Sequence, residues 1–192
     1  MLNVVIFGPP GAGKGTQSKK IIEKYGLRHI STGDLLRNEI ASGSELGIRI
    51  KAKINKGKLI SDEIITDILI NEIDNLGKDI PGIIFDGFPR TLEQAEMLYN
   101  LLEERGMEVK VMIDLEVDEE ELIKRLLYRA KIAGRSDDTI DVIKKRLKVY
   151  HKKTEPVIDF YKKKGKFRKI DGSGSIDEIF ARIDKVLSEL SH

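Results

Sequence analysis

The residues with the clearest chemistry lie near the N-terminus, in Gly8-Pro9-Pro10-Gly11-Ala12-Gly13-Lys14-Gly15-Thr16. An apolar run, Val4-Val5-Ile6-Phe7, precedes them, and a helix-like pattern from Gln17 to Tyr25 comes next. A strand therefore runs into a glycine-rich turn and then into a helix. Glycines lack the Cβ that would block access, so the backbone N–H groups of such a turn can point inward at a phosphate. The helix start adds unsatisfied N–H groups and the positive end of a dipole. Lys14 supplies a mobile point charge suited to β- and γ-phosphates. The strict pattern for such loops has Ser or Thr directly after the lysine; here Gly15 intervenes and the hydroxyl comes at Thr16.

Two further polar segments come after apolar runs in the same way. Ser31-Thr32-Gly33-Asp34-Leu35-Leu36-Arg37 begins where a second strand is expected to end, and Asp86-Gly87-Phe88-Pro89-Arg90 succeeds the apolar Ile83-Ile84-Phe85. Ligands of open α/β sheets bind outside the carboxyl ends of the strands. Three strand ends thus deliver polar, glycine-containing segments to one edge. Each segment alone reads equally as a turn with a helix cap; together they read as a site.

The elements that must position these residues alternate along the whole chain. Strand-like runs are expected at 2–7, 27–30, 82–85, 109–115 and 167–170. Helical patterns are expected at 14–25, 33–42, 45–56, 62–75, 92–104, 118–131, 137–164 and 176–190. Thr91-x-x-Gln94 and Ser175-x-x-Glu178 read as capping boxes, and Gly26 and Gly106 as helix stops. Pro156 should kink or divide the pattern at 137–164. Alternation of this kind argues a parallel sheet covered on both faces. The interval 31–81 holds about three helices, more than one crossover needs, and reads as an inserted helical subdomain.

Composition excludes several classes. With 192 residues, of which 40% are hydrophobic, the chain suits one domain with a real core. A net charge of +2 gives no global nucleic-acid or membrane signature. The sequence has no cysteine, which rules out disulfides and a Cys-based zinc site. No apolar stretch approaches the roughly 20 residues that span a bilayer, and no secretory leader is visible at the N-terminus. A cytoplasmic protein is the default expectation.

In combination, Gly8 to Thr16, Ser31 to Arg37 and Asp86 to Arg90 resemble the signature set of the nucleoside monophosphate kinases, and of adenylate kinase in particular. In that family Gly-Thr normally succeeds the loop lysine, as Gly15-Thr16 does here. Leu122-Ile123-Lys124-Arg125 with Arg129, and Gly134-Arg135-Ser136-Asp137-Asp138, are similar to the family's lid region. Lys145-Arg146-Leu147 and Glu155-Pro156-Val157 are similar to the segment after the lid. The resemblance covers essentially the whole chain.

The resemblance implies a P-loop three-layer α/β/α fold with a five-stranded parallel sheet, a helical AMP-binding subdomain and a short lid loop. It implies a core of 1–30, 61–127 and 139–192, an AMP-binding subdomain at 31–60 and a lid at 128–138. The implied reaction is reversible transfer of the γ-phosphoryl group of MgATP to AMP, giving two ADP. The catalytic residues would be Lys14, Arg90, Arg125, Arg129, Arg135 and Arg146. Arginine suits this work because its planar fork holds two phosphate oxygens at once. ATP would bind at Gly11, Ala12, Gly13, Lys14, Gly15, Thr16, Arg125, Arg129 and Gly174. AMP would bind at Thr32, Arg37, Lys58, Leu59, Ile60, Gly87, Phe88, Pro89, Arg90, Gln94, Arg135 and Arg146. Asp86 would hold Mg²⁺ through the ion's waters, since Mg²⁺ sheds water reluctantly. Asp137 and Asp138 belong to the lid hinge by resemblance, and an N-cap role for one of them is equally open. His29, His151 and His192 are read as non-catalytic.

Within the family, Thr32 and Gln94 stand where adenylate kinases carry Thr and Gln, and a glutamine amide offers a donor and an acceptor to an adenine edge. These two positions argue against a relative that prefers UMP or CMP. A non-catalytic P-loop module that binds nucleotide or nucleic acid would not need the acceptor segments. The lid is short: only Ala130 to Gly134 separate Arg129 from Arg135, which leaves no room for an inserted sheet and implies no structural zinc. A monomer that binds ATP, AMP and ADP, with no nucleic-acid or membrane partner, is the expectation.

Overall fold

The computed structural model describes residues 1–56, 60–77, 79–134 and 139–191. Within them the chain forms five strands: β1 Val4–Phe7, β2 Arg28–Ser31, β3 Ile83–Asp86, β4 Val111–Glu116 and β5 Phe167–Asp171. The helices are α1 Lys14–Tyr25, α2 Thr32–Ala41, α3 Glu45–Ile54, α4 Asp62–Asp74 and α5 Leu92–Glu103, then α6 Glu119–Ala133, α7 Ile140–Val149, α8 Val157–Lys163 and α9 Ile176–Leu190. The sheet is parallel throughout, in the order β2-β3-β1-β4-β5. This is the expected fold class.

Strand residues alternate faces, so β1 feeds two cores at once. Val5 and Phe7 join Ile83, Phe85 and Met112 on one face, which α2–α5 and α8 cover. Val4 and Ile6 join Ile84, Ile113 and Leu115 on the other, which α1, α6, α7 and α9 cover. All four β1 residues are buried. Their run is therefore continuously apolar, as a strand covered on both faces requires. At the opposite end of β1 the buried Asn3 staples its neighbours. Its Nδ2 donates to Glu108 O at 2.9 Å, and its Oδ1 accepts from Ile83 N at 3.1 Å.

Register sets the functional edge. Ser31 lies beside Asp86, Ile6 beside Asp86, Phe7 beside Asp114, and Asp114 beside Lys169. The carboxyl ends of β1 to β4 therefore finish side by side, as the spacing of the three polar segments predicts.

Three local expectations need correction. The pattern at 137–164 is interrupted: α7 passes into a π-helical segment, Tyr150–Thr154, and α8 begins only after Pro156. The proline division was expected; the π turn was not. Thr91 caps α5 through its hydroxyl, which accepts from Gln94 N, but the capping box is half formed. The Gln94 amide turns away from Thr91 and its Oε1 accepts from Arg90 N at 2.8 Å. At α9 the Ser175–Glu178 box is complete. Element ends also move by one or two residues, and β2, β3, β4 and β5 each run one residue further toward the functional edge.

No helix among the described residues is long and apolar enough to cross a membrane. Leu98 on α5 is fully buried. Its replacement by alanine is expected to cost about 2–5 kcal/mol in urea unfolding. Ile132→Ala, at a position 69% exposed, should stay within about 0.5 kcal/mol.

Candidate active site

The phosphate loop leaves β1 at Phe7 and is pressed against the start of α6. A Cβ on Gly8 would stand 2.8 Å from Leu115 O, and one on Gly11 would stand 2.9 Å from both Leu122 O and the Leu126 side chain. Both glycines have positive φ, so neither space nor backbone admits a side chain there. Gly13, in the left-handed conformation, caps α1 and leaves its first N–H groups facing the loop. The Lys14 ammonium lies inside this curl and donates to Gly8 O at 2.9 Å and to Pro9 O at 3.1 Å. Its pKa falls to about 8: burial disfavours the charge, Asp86 opposes that effect, and Arg90, Arg146 and Arg129 add repulsion. Three arginines drawn from α6, α7 and the segment after β3 therefore converge on this lysine.

The segments that end β2 and β3 are clasped together at Gly87. Thr32 Oγ1 donates to Gly87 O at 3.0 Å, and Arg90 Nε donates to the same oxygen at 2.6 Å. Gly87 has φ 78°, and a Cβ there would meet Thr32 Oγ1 at 3.0 Å and Arg90 Nη2 at 3.1 Å. The Phe88–Pro89 peptide is cis. Thr154, from the π-helical segment, donates to Arg90 O at 2.8 Å. Arg37 pairs with Asp34 at 2.5 Å; burial opposes the Asp34 charge, but the Arg37 hydrogen bond and charge prevail and lower its pKa. One cavity is lined by Gly8 and Lys14 on the loop side and by Thr32, Arg37, Arg90 and Gln94 on the side of the β2 and β3 ends. Arg146 and Tyr150 close it over α7, and Leu36, Ile60, Ile65 and Phe88 form apolar walls. Lys58 and Leu59 lie outside the described residues; Ile60 is buried in the cavity wall.

Arg125 reaches the other side of the loop. One of its Nη atoms would lie 4.0 Å from a Cβ on Gly13, the other donates to Gly172 O at 3.2 Å, and its Nε donates to Glu121 at 2.8 Å. It thus ties the phosphate loop to the turn after β5. Arg182 holds that turn from α9 by donating to Asp171 O at 2.8 Å and Ser173 O at 2.7 Å. Gly174 sits in this turn with φ 99°. Arg135, Asp137 and Asp138 fall outside the described residues.

Asp86 ends β3 at 9% exposure, with Oδ2 3.9 Å from where a Gly15 Cβ would stand. His29 Nε2 lies 3.5 Å from the same oxygen, a neighbour that the spacing of the motifs does not announce. A carboxylate next to the Gly15-Thr16 end of the loop fits a hard divalent cation that keeps most of its waters. Among the described residues no group of three or more His, Asp or Glu side chains is arranged to hold a metal.

Tyr150, Thr154 and Asp114 belong to the site although no motif marks them. The first two bound the π-helical segment, and both line the cavity. Asp114, one strand across from the loop, is buried and its Oδ1 has no hydrogen-bond partner. Burial, reinforced by Glu116, raises its pKa to about 6, while Lys14 and Lys169 oppose the rise. Its only signal in the sequence is an acid inside an otherwise apolar strand.

A parallel sheet with a phosphate loop after β1, sharing one cavity with the segments at the ends of β2 and β3, defines a P-loop phosphotransferase. The adenylate kinase family model matches residues 6–166. The chain belongs to the adenylate kinase family. An adenylate kinase of Bacteroides thetaiotaomicron is 56% identical over 190 residues, covering 99% of this chain and all of the relative. Relatives of the same name from Phocaeicola vulgatus, at 55% with the same coverage, and Maricaulis maris, at 48% over 98% of this chain and all of the relative, are similar along their full length.

The two shifted groups imply two pH effects. With Lys14 at about 8, an incoming polyphosphate restores its charge, so MgATP binding at pH 8 should take up roughly half a proton and at pH 6.5 almost none. Calorimetry in buffers of different ionisation enthalpy measures this, and Lys14→Met should abolish the uptake. Asp114 prefers to be neutral in the folded state, so its burial costs stability as pH rises from its ordinary 3.8 through about 6. Asp114→Asn is expected to be more stable than wild type by about 2 kcal/mol at pH 7.5. In thermal melts the difference should vanish below pH 4.

Proposed function

We propose that this chain catalyses MgATP + AMP ⇌ 2 ADP and so balances the adenine nucleotides. The observation that carries the reading is the single cavity joining Lys14 to Thr32, Arg37, Arg90 and Gln94. A hydrolase or a simple nucleotide binder needs the loop but not the second set. The full-length likeness to proteins named adenylate kinase supports the same conclusion.

The chemistry asks for positioning and charge. The attacking group is an AMP phosphate oxygen, already anionic at neutral pH, so no general base is required. The loop N–H groups from Gly11 to Thr16 and the Lys14 ammonium hold the β- and γ-phosphates of ATP. Arg37 and Arg90 hold the AMP phosphate, in line with the γ-phosphate. Arg37 reaches it by leaving Asp34, an exchange of one anion for another. Arg125 and Arg129 contact ATP, and Arg146 with Arg135 spans donor and acceptor phosphates, where charge on the transferring group is greatest. Asp86 would hold Mg²⁺ through the ion's waters, and the ion would supply neutralisation of phosphate charge. The ATP base packs toward the turn at Gly174. Thr32, Lys58, Leu59, Ile60, Gly87, Phe88, Pro89 and Gln94 receive AMP.

In this reading 31–60 is the AMP-binding subdomain, 128–138 is a short lid, and 1–30, 61–127 and 139–192 form the core. Closure of the first two excludes water from the γ-phosphate. In this reading the protein works as a monomer in the cytoplasm.

The test is ADP formation from MgATP with AMP, UMP or CMP as acceptor. Turnover with AMP should greatly exceed that with the pyrimidine nucleotides, and Arg90→Ala should lower kcat by about 10²–10³-fold while ATP binding persists. Preference for UMP or CMP would assign a different acceptor. ATP binding without turnover would leave only a binding module.

A further inference from the structure

The Gln94 side chain is held at both ends of its amide. Its Oε1 accepts from Arg90 N at 2.8 Å, and its Nε2 donates to Asp62 Oδ1 at 2.7 Å. Gln94 is 3% exposed and lines the acceptor cavity. Asp62 is an exposed residue in the first turn of α4, 32 positions away in the chain. The expected local partner of this amide, the Thr91 backbone N–H of a full capping box, is passed over.

We infer that Asp62 is a positioning residue that fixes which way round the Gln94 amide faces the acceptor base, and thereby selects a base edge with adenine's polarity. The inference rests on the reading of Gln94 as a contact to the acceptor base. A primary amide has two N–H donors and two acceptor lone pairs. Arg90 N and Asp62 use one of each, which leaves one N–H and one lone pair. Rotating the amide by 180° would set its NH₂ against the Arg90 N–H and its oxygen against the Asp62 carboxylate. Donor would meet donor and acceptor would meet an anion, so the flipped form is excluded on both sides.

The remaining pair matches one pattern. The second N–H can donate to a ring nitrogen, and the second lone pair can accept from an exocyclic amino group. Adenine presents that arrangement, with N1 as acceptor and N6 as donor. Hypoxanthine has nearly the same outline but presents N1–H and O6, the reverse. Against a locked amide it meets two like-to-like contacts in a buried site, the condition under which polar discrimination is strong. An amide free to rotate would accept either base.

AMP and IMP are therefore the probes, each assayed as acceptor with saturating MgATP on wild type, Asp62→Asn, Gln94→Ala and the double variant. A neutral amide at position 62 can donate as well as accept, so it lifts the exclusion on that side. The ratio of kcat/KM for AMP over IMP should fall by about tenfold or more in Asp62→Asn. The change should lie in the acceptor KM, with the KM for ATP unmoved. The ratio should fall also in Gln94→Ala, and adding Asp62→Asn to that variant should change it no further. If Asp62→Asn keeps the wild-type ratio while Gln94→Ala loses it, Gln94 reads the base without the lock and the inference is overturned. Equal losses toward AMP and IMP in Asp62→Asn would reduce Asp62 to a helix-start residue and overturn it too. If Gln94→Ala itself keeps the ratio, the reading of Gln94 as the base contact fails first, and the lock falls with it.

Discussion

Several permanent cations must be held around one small volume before any anion arrives. Lys14 sits among Arg90, Arg129 and Arg146, and its pKa falls to about 8 chiefly because it is buried, with the arginines adding to the fall and Asp86 opposing it. Like charges at such range repel, and burial makes the repulsion worse. The fold tolerates it by anchoring each cation from a different element and by giving the ammonium backbone oxygens of its own loop, Gly8 O and Pro9 O. A concentration of cations at the end of β1 is a setting that suits anionic phosphate.

The sheet makes this geometry possible. In the order β2-β3-β1-β4-β5, the phosphate loop leaves the central strand, and the strands on either side deliver the acceptor clasp and an acid. Gly8 lets the loop lie against β4 and Gly11 lets α6 come down onto it, so the helix that carries Arg125 and Arg129 is fixed relative to Lys14. Gly87 plays the same part on the acceptor side, where its carbonyl gathers Thr32 and Arg90. The clasp is closed from a third direction by Thr154, at the end of the π turn. Thr32 and Thr154 therefore act on the acceptor arginine through its backbone and its neighbour, rather than by adding charge.

Acids are placed with equal economy. Asp86 lies beside His29 and the end of the loop, where a carboxylate partners cations. Asp114 lies on β4, across β1 from Asp86, buried with an unpartnered oxygen, and is driven toward its neutral form. Two aspartates on the strands that flank β1 thus differ in environment. Asp62 shows a third use, in which an exposed carboxylate orients a buried amide.

The class of fold and the centre of the site are legible in the chain before any coordinate is known. Apolar strand runs, glycine spacing and helix patterns depend on neighbours a few residues apart, so β1, the phosphate loop and α1 stand out at once, as do the segments at Ser31 and Asp86. The arginines are legible only through likeness to a family, since a lone arginine on a helix has no local signature. Packing in three dimensions is what makes Gln94 abandon its capping box for Arg90 N and Asp62. It also brings Thr154 to Arg90 across 64 residues, replaces helix by a π turn before Pro156, and buries Asp114 with an oxygen unpartnered. Each of these depends on which elements meet. Hydrogen-bond geometry between distant segments is fixed by that meeting and leaves no periodicity in the chain.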